Sequence, residues 1–466
     1  MLTIQAPPSK SVSHRTLMGA ALASGTSHVS NVLMSKDIER TVAILASAGA
    51  RIHPAGTDGF TVTGMNGAPH GALPGEPPLS CDVHESGTTC RLLTAILAAG
   101  RGRFRIHGAP RMHERPIGQL VDTLRTLGVH VAYEGAAYCP PLLLDTQGWQ
   151  GQTACIGMDE SSQYLSGLLL AAPLRASAAD GTPLTIAVGG DTVVSWPYVG
   201  LTLQCLEDFG LEFRVETLPQ NAEPHHDAWQ AADWRSLQQV LPGRVRFVVP
   251  PGRYRAGDYT IEGDWSGASY FLAAGAVGRR PVKVTGLRAD SLQGDRALLQ
   301  ILRRMDARVH EDVHGVTVSP SALRGATLDM GHCPDLVPTV AALAAFAKGR
   351  TTISNVAHLR IKESDRIAAP AAELRKVGIV VEEHADGLTI MGAGDGNDPL
   401  HARDGRGPLS APESTVFLTH GDHRMAMSMS LLGLSGPTPH AVHVDNPQVV
   451  SKSFPNFWQM WSKVLA

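Results

Sequence analysis

The sequence predicts an α/β protein of two domains, each built from three β-α-β-α-β-β repeats. Three observations predict it: the chain length, a sixfold recurrence of one helical pattern, and a second helical pattern between the copies of the first. At 466 residues the chain exceeds one ordinary core, and two domains of roughly 200 residues are the natural division. A hydrophobic content of 43% is enough to fill both cores.

The first pattern is a small or polar cluster, an apolar run, a glycine-containing turn and a β-rich stretch. Its copies read "PSKSVSHRTLMGAALASG", "ESGTTCRLLTAILAAG", "DESSQYLSGLLLAAPL", "GDWSGASYFLAAGAVG", "PDLVPTVAALAAFAKG" and "DHRMAMSMSLLGLSG". The second appears as "DIERTVAILASAGARI", "PIGQLVDTLRTLGVHV", "YVGLTLQCLEDFGLEF", "DRALLQILRRMDARVH" and "AAPAAELRKVGIVV". Each has apolar residues at helical spacing and ends near a C-capping position before a strand. Two stretches, near 221–245 and 392–408, lose the periodicity to Gly, Pro and polar residues and read as surface insertions.

Composition excludes several classes of function. With 40 Lys+Arg against 43 Asp+Glu, the net charge of -3 provides no global field for nucleic acid or an anionic membrane. Six cysteines are scattered without a C-x-x-C pair, which argues against a zinc site and a secreted disulfide framework. The N-terminal "MLTIQAPPSKSVSHR" lacks the apolar core of a signal peptide, and no apolar run reaches the roughly 18 residues of a membrane span. The expectation is a cytoplasmic protein.

Chemistry is expected at the polar clusters, because a helix N-terminus offers unpaired N–H groups and a dipole that favours anions. "SKSVSHR" places Lys10, Ser11, His14 and Arg15 at a helix start, though an N-cap with exposed bases explains it equally. "SGTTCR" brings Gly87 and Arg91; "SSQ" brings Ser161, Ser162 and Gln163, where capping alone accounts for either serine. Arg115 stands before Pro116, which suits a first helical position, and its guanidinium can grip a carboxylate with two hydrogen bonds. "RIKESDR" packs five charged side chains into seven residues, and such runs ordinarily face water. Lys10, Arg15, Arg115, Lys362, Arg366, Arg424 and Lys452 all fall near the corresponding end of a repeat, which solvation does not explain.

The segments "SKSVSHR", "SGTTCR", "RMHERPIGQLVDTLRTLG", "SSQYLSGLL", "DMGHCPDLVPTVAALAAFAKG", "IKESDRI", "ELRKVG", "GDHRMAM" and "VSKSFPNF" occur in order from about residue 7 to 457. Together they resemble the 3-phosphoshikimate 1-carboxyvinyltransferase (EPSP synthase) family of enolpyruvyl transferases. The resemblance implies a two-domain inverse α/β barrel, with residues 9–261 as one three-repeat domain and 262–466 as the other, residues 1–8 crossing back into the latter. It implies transfer of the enolpyruvyl group of phosphoenolpyruvate to the 5-hydroxyl of shikimate 3-phosphate, with loss of phosphate through a tetrahedral adduct. It further implies a monomer with small-molecule substrates, no metal or organic cofactor, and no nucleic-acid or membrane partner.

By motif, the resemblance assigns shikimate 3-phosphate to Lys10, Ser11, Arg15, Ser161, Ser162, Gln163, Ser195, Tyr198, Asp335 and Lys362. It assigns phosphoenolpyruvate to Lys10, Gly87, Arg115, Gln163, Arg366, Arg424 and Lys452. Asp335 corresponds to the base for the hydroxyl proton, Glu363 to the donor for the methylene carbon, and His423 to an assisting group. Gly87 borders the pocket that the herbicide glyphosate occupies in this family. If "RIKESDR" is helical, Lys362 and Arg366 share a face, while Asp365 is expected to pair locally. Pro370 should delay or kink the helix that follows.

Trp196, His358 and the pair Asp159-Glu160 depart from the family pattern. An enolpyruvyl transferase acting on a UDP-sugar is the nearest alternative, although such enzymes resemble "SKN" at the first motif and lack "KESDR". An RNA 3'-phosphate cyclase-like protein is opposed by the charge balance. A non-catalytic relative is opposed by the presence of both Asp335 and Glu363.

Overall fold

The structure, a computed structural model, describes residues 1–175, 181–219, 221–222, 228–237, 240–393, 415–435 and 439–466. The chain forms two compact units. The N-terminal unit is Lys10–Ile261; the C-terminal unit joins Met1–Ser9 to Glu262–Ala466.

The repeat is clearest in the middle of the N-terminal unit. Strand Leu79–Asp82 leads to helix Gly87–Ala98, strand Arg101–His107, helix Gly118–Thr126 and a hairpin of His130–Tyr133 with Leu142–Gln147. The first two strands are parallel, with Cys81 opposite Ile106. Leu142–Gln147 lies antiparallel between Arg101–His107 and His130–Tyr133. A crossover through a helix joins such a parallel pair, and residues 134–141 join the antiparallel hairpin.

In each unit the first repeat takes its first strand from a distant part of the chain. Asp258–Thr260 pairs in parallel with Thr26–Ser30, and Leu2–Gln5 pairs in parallel with Val282–Thr285. Both are edge strands of their four-stranded sheets. The sixth repeat, among the described residues, has two short strands, Val416–Phe417 and His443–Val444, with helices His423–Met429 and Phe457–Leu465 and 3-10 turns Ser430–Leu434 and Pro447–Lys452.

The two helices of a repeat differ in burial, and their sequences explain why. Helix Lys36–Ser47 buries Ile38, Thr41, Ile44 and Leu45, one helical face. The first helices are apolar all round and rich in Ala and Gly, so they pack on every side. In Lys10–Leu22 every residue from Ser13 onward is buried; in Gly87–Ala98, Gln163–Ala171 and Trp265–Val277 only Thr88, Gln163 and Ser266 escape full burial. These helices are therefore reachable only at their first turns.

In the C-terminal unit the core around Trp265, Tyr270 and Phe271 is closed by the final helix, where Phe457 and Trp461 stack at 5.5 Å. Among the described residues no helix is long and apolar enough to cross a membrane.

Two expectations need correction, those for 221–245 and Pro116, and the delayed helix start expected from Pro370 is met. The stretch near 221–245 is not all bare surface: Gln230–Ala231 adds a strand to a sheet edge, and Trp234 is buried against Phe213 at 6.3 Å. An apolar ring in an otherwise polar segment supplies what periodicity misses. Most of 392–408 lies outside the described residues. Pro116 is not the first helical residue, since that helix begins at Gly118; its carbonyl instead accepts from Arg91 and the Tyr164 hydroxyl. Pro370 falls in the first turn of helix Ala368–Lys376, where its missing N–H costs nothing.

Close packing of the buried helices makes a direct test possible. A Cβ on Gly19 would lie 2.5, 2.7 and 2.8 Å from atoms of the Phe209 ring. That ring cannot yield easily, being stacked on Tyr259 at 4.3 Å and edge-on to Tyr254 at 5.6 Å. Gly19→Ala should destabilise the N-terminal unit by about 1–3 kcal/mol, the usual cost of overpacking. Urea unfolding of the full chain measures it, and an unchanged midpoint would mean that the ring can move aside.

Candidate active site

In the N-terminal unit the first turns of three buried helices are tied together by side chains. Lys10 Nζ is 3.2 Å from Asp37 Oδ2. The Asp37 carbonyl accepts from the hydroxyls of Thr41 and Thr89, and Thr89 Oγ1 lies 2.6 Å from Ser86 Oγ, the N-cap of the Gly87 helix. Gln163 closes the group, donating to Thr88 Oγ1 at 2.9 Å and accepting from Arg91 Nη1 at 3.1 Å. Ser161 Oγ accepts from the Gln163 amide at 3.2 Å.

Arg15 is buried among neutral oxygens. It donates to Thr202 Oγ1 at 2.8 Å, to the carbonyls of Ser11 and Tyr198 at 2.9 and 3.1 Å, and to Ser166 Oγ at 3.4 Å. Among the described residues it forms no ion pair with a carboxylate. Burial accordingly lowers its pKa to about 10, with Cys205 and Tyr198 opposing. Such a cation invites an anion. Ser195 adopts the left-handed region at φ 57 just before helix Pro197–Asp208, which carries Tyr198. Gly87 stands against Arg115: a Cβ there would meet Nη2 at 2.6 Å and Nη1 at 2.8 Å.

In the C-terminal unit Arg366 is the hub. Its Nε and Nη2 contact the two oxygens of Asp422 at 2.7 and 3.2 Å, Nη1 reaches Asp335 Oδ1 at 2.8 Å, and Nη2 also reaches Glu363 Oε2 at 3.0 Å. Arg424 Nη2 holds the other Asp335 oxygen at 2.6 Å, and its Nη1 donates to Ser266 Oγ. Lys452 Nζ lies 3.7 Å from Glu363 Oε1. His423 is buried with Nδ1 3.5 Å from Asp422 Oδ1. The charge of Lys362 acts on Asp335 and His358.

The carboxylates respond to opposing influences. Burial pushes Asp335 up, but Arg424, Arg366 and Lys362 outweigh it and hold the group below its ordinary value. Asp422 is likewise depressed, burial being overcome chiefly by Arg366. Asp295, fully enclosed nearby, goes the other way: burial raises it and the charge of Asp335 adds to the effect.

The condition on "RIKESDR" is not met. A short 3-10 turn Ala357–Ile361 ends before Lys362, and the residues up to Asp365 form bends. The cause is local: Asp365 Oδ1 accepts from the Ile367 and Ala368 amides at 3.0 Å each, starting a new helix, while Oδ2 pairs with Arg360 at 2.8 Å. Asp365 thus pairs locally, and the charged residues meet through the irregular backbone instead of a helical face.

The departures also find their reasons. Asp159 accepts from the amides of Asp191 and Thr192 at 2.7 Å each, and Glu160 accepts from the Tyr164 hydroxyl at 2.9 Å. Burial would raise the Asp159 pKa, but these bonds bring it below its usual value. Trp196 is a core residue whose indole donates to the Leu237 carbonyl at 2.8 Å. Sequence reading passed over Asp37, Asp422, Thr202 and Ser266. The signals were faint: Asp37 in an acidic first helical turn, and Asp422 at the N-cap position inside "GDHRMAM".

Two buried histidines give a pH test. Burial brings His14 down to about 3; Asp37 opposes and Lys10 and Arg15 assist. His358 also falls to about 3, through burial and then Lys362, with Asp335 opposing and Arg366 assisting. Their folded values lie below the unfolded ones, so the unfolded chain binds more protons between about pH 6.5 and 3 and stability drops as pH falls through that window. Urea midpoints should decline from pH 7 to 4.5, and His14→Gln should flatten the decline. An acid limb unchanged in the variant would place the loss elsewhere.

Comparison with known proteins follows the same lines. The family model of EPSP synthase (3-phosphoshikimate 1-carboxyvinyltransferase) matches residues 2–233 and 241–461. A 3-phosphoshikimate 1-carboxyvinyltransferase from Marinomonas sp. is 37% identical over 99% of this chain and 96% of its own. Another from Ralstonia nicotianae is 38% identical over 100% and 97%. Among solved structures, EPSP synthase from Acinetobacter baumannii has the same fold, with TM-score 0.73 at 24% identity over 99% of this chain and 95% of that one. The enolpyruvyl transferase NikO from Streptomyces tendae aligns with TM-score 0.67 at 20% identity, covering 100% and 94%. With a family model and relatives that run nearly the full length of the chain, this protein belongs to the EPSP synthase family.

Proposed function

We propose that the chain transfers the enolpyruvyl group of phosphoenolpyruvate to the 5-hydroxyl of shikimate 3-phosphate by addition and elimination, in the shikimate pathway to aromatic amino acids. The observation that carries the reading is the pair of guanidiniums, Arg366 and Arg424, that grip the two oxygens of Asp335. A carboxylate so held is a weak base. When the carboxylate and phosphate of phosphoenolpyruvate draw those guanidiniums away, the Asp335 pKa rises and the group can accept the hydroxyl proton.

Glu363 is subject to the same exchange, since its partners are Arg366 and Lys452. As the substrate takes up these cations, Glu363 becomes able to carry a proton and deliver it to the methylene carbon, while the 5-oxygen of shikimate 3-phosphate bonds to the adjacent carbon. Loss of phosphate and of one methyl proton from the adduct restores the enol ether. Arg366, Arg424, Lys452, Lys10, Gly87, Arg115 and Gln163 serve phosphoenolpyruvate. Lys10, Ser11, Arg15, Ser161, Ser162, Gln163, Ser195, Tyr198, Asp335 and Lys362 serve shikimate 3-phosphate, and His423 assists. The six cysteines are all free thiols, which supports the cytoplasm as the place of work.

The deciding experiment monitors phosphate release from phosphoenolpyruvate with purified protein and shikimate 3-phosphate, a UDP-sugar serving as the control acceptor. Release with the UDP-sugar alone would reassign the substrate. Asp335→Asn should retain shikimate 3-phosphate binding by calorimetry yet lose at least about a hundredfold in turnover, the scale for removing a general base; near-normal turnover would move the base elsewhere.

Gly87→Ala addresses the phosphoenolpyruvate pocket. The added methyl must displace the Arg115 guanidinium, the far end of a long and flexible side chain, so the variant should fold. Glyphosate should inhibit the parent enzyme competitively against phosphoenolpyruvate, and the variant should lose this longer ligand far more than the substrate. Insensitivity of the parent, or equal loss of both ligands, would sink this assignment.

A further inference from the structure

The segment "ELRKVG" has no part in the chemistry above, yet its glutamate is among the most deeply enclosed carboxylates in the C-terminal unit. Glu373 sits on helix Ala368–Lys376, and its side chain is 1% exposed. Oε2 accepts from Lys376 Nζ at 2.6 Å and from the Leu418 amide at 2.9 Å. Oε1 lies 2.9 Å from His420 Nε2.

Leu418 and His420 belong to the strap that leads into helix His423–Met429. Its path is unusual. His420 and Gly421 are consecutive left-handed residues, at φ 52 and 70, and a non-glycine residue there persists only when its surroundings hold it. Glu373 holds one side through Leu418 and His420; Asp445 holds the other, accepting from the Thr419 amide at 2.7 Å. The turn closes with the Asp422 amide donating to the Thr419 carbonyl at 2.8 Å.

What this turn delivers is Asp422, fully buried, which caps the helix through the Arg424 amide at 2.9 Å and accepts from Ser364 Oγ at 3.0 Å and from Arg366. The geometry points to Glu373 as a positioning residue: through Leu418 and His420 it fixes the turn that places Asp422, and thereby the Arg366 guanidinium that meets phosphoenolpyruvate. It touches no ligand itself.

This inference rests on the ligand role given to Arg366 above, and the experiment separates the two. Steady-state kinetics are measured on Glu373→Gln, His420→Leu, the double variant and Arg366→Lys, with thermal midpoints alongside. Glu373→Gln keeps the size and one acceptor but sets an amide against donors. It should raise KM for phosphoenolpyruvate by about tenfold, within the range for coupling through a contiguous network, and leave KM for shikimate 3-phosphate within about twofold. His420→Leu should act in the same direction, and the double variant should fall well short of the product of the singles, because both break one hydrogen bond. A Glu373→Gln protein with a lowered midpoint and normal kinetics would overturn the proposal by making the residue merely structural. Should that variant fail to fold, a normal KM for phosphoenolpyruvate in His420→Leu overturns it equally. A normal KM in Arg366→Lys removes the ligand role instead; a raised one there, with normal values in the other variants, sinks only the positioning role of Glu373.

Discussion

A guanidinium sealed from water has to be matched by acceptors on every side, and the C-terminal unit is arranged around that requirement at Arg366. Its side chain is 3% exposed and shares its hydrogen bonds among Asp335, Glu363 and Asp422. Removing one partner of such a buried pair typically costs about 3–5 kcal/mol, because the remaining charge is stranded. The constraint thus binds together three pieces of chain that are distant in sequence. They are the turn before helix Val337–Phe346, the irregular stretch after Ile361, and the N-cap of helix His423–Met429.

The N-terminal unit answers a similar problem differently. Arg15 is enclosed by two hydroxyls and two carbonyls, so its charge is solvated and left uncancelled. Lys10 shares Asp37, and the Asp37 backbone in turn receives the hydroxyls that fix the cap of the Gly87 helix. One unit therefore stores its cations against internal carboxylates, whereas the other buries at least one among neutral oxygens that leave its charge uncancelled. Repeated helix N-termini supply the common electrostatic background in both.

Much of this organisation can be read from the sequence because it rests on periodicity. Buried helices beginning at Lys10, Gly87, Gln163, Trp265, Val337 and His423 follow from apolar runs rich in small residues, each preceded by a polar cluster. The clusters themselves are legible as motifs. What they grip is less so, since pairings such as Arg366 with Asp422 or Arg15 with Thr202 depend on the packing of whole repeats. The path of "RIKESDR" illustrates the limit: its charges suggest a helical face, but Asp365 turns to cap the following helix and the stretch stays irregular. Trp234 is another case, one of two tryptophans in a polar segment, which finds a place in the core without any repeat to announce it.

The strands Leu2–Gln5 and Asp258–Thr260 impose an order of events during biosynthesis. Leu2–Gln5 is made before the N-terminal unit, but its partner Val282–Thr285 is made only after the whole of it. It must wait as an unpaired edge with Ile4 exposed, although that residue ends 2% exposed beneath the completed sheet. The N-terminal unit, conversely, gains its last strand, Asp258–Thr260, just before the chain crosses over at Ile261. Nascent chains released early would therefore carry one unit nearly complete and one strand without a sheet, a form that chaperones and proteases can tell apart from the finished protein.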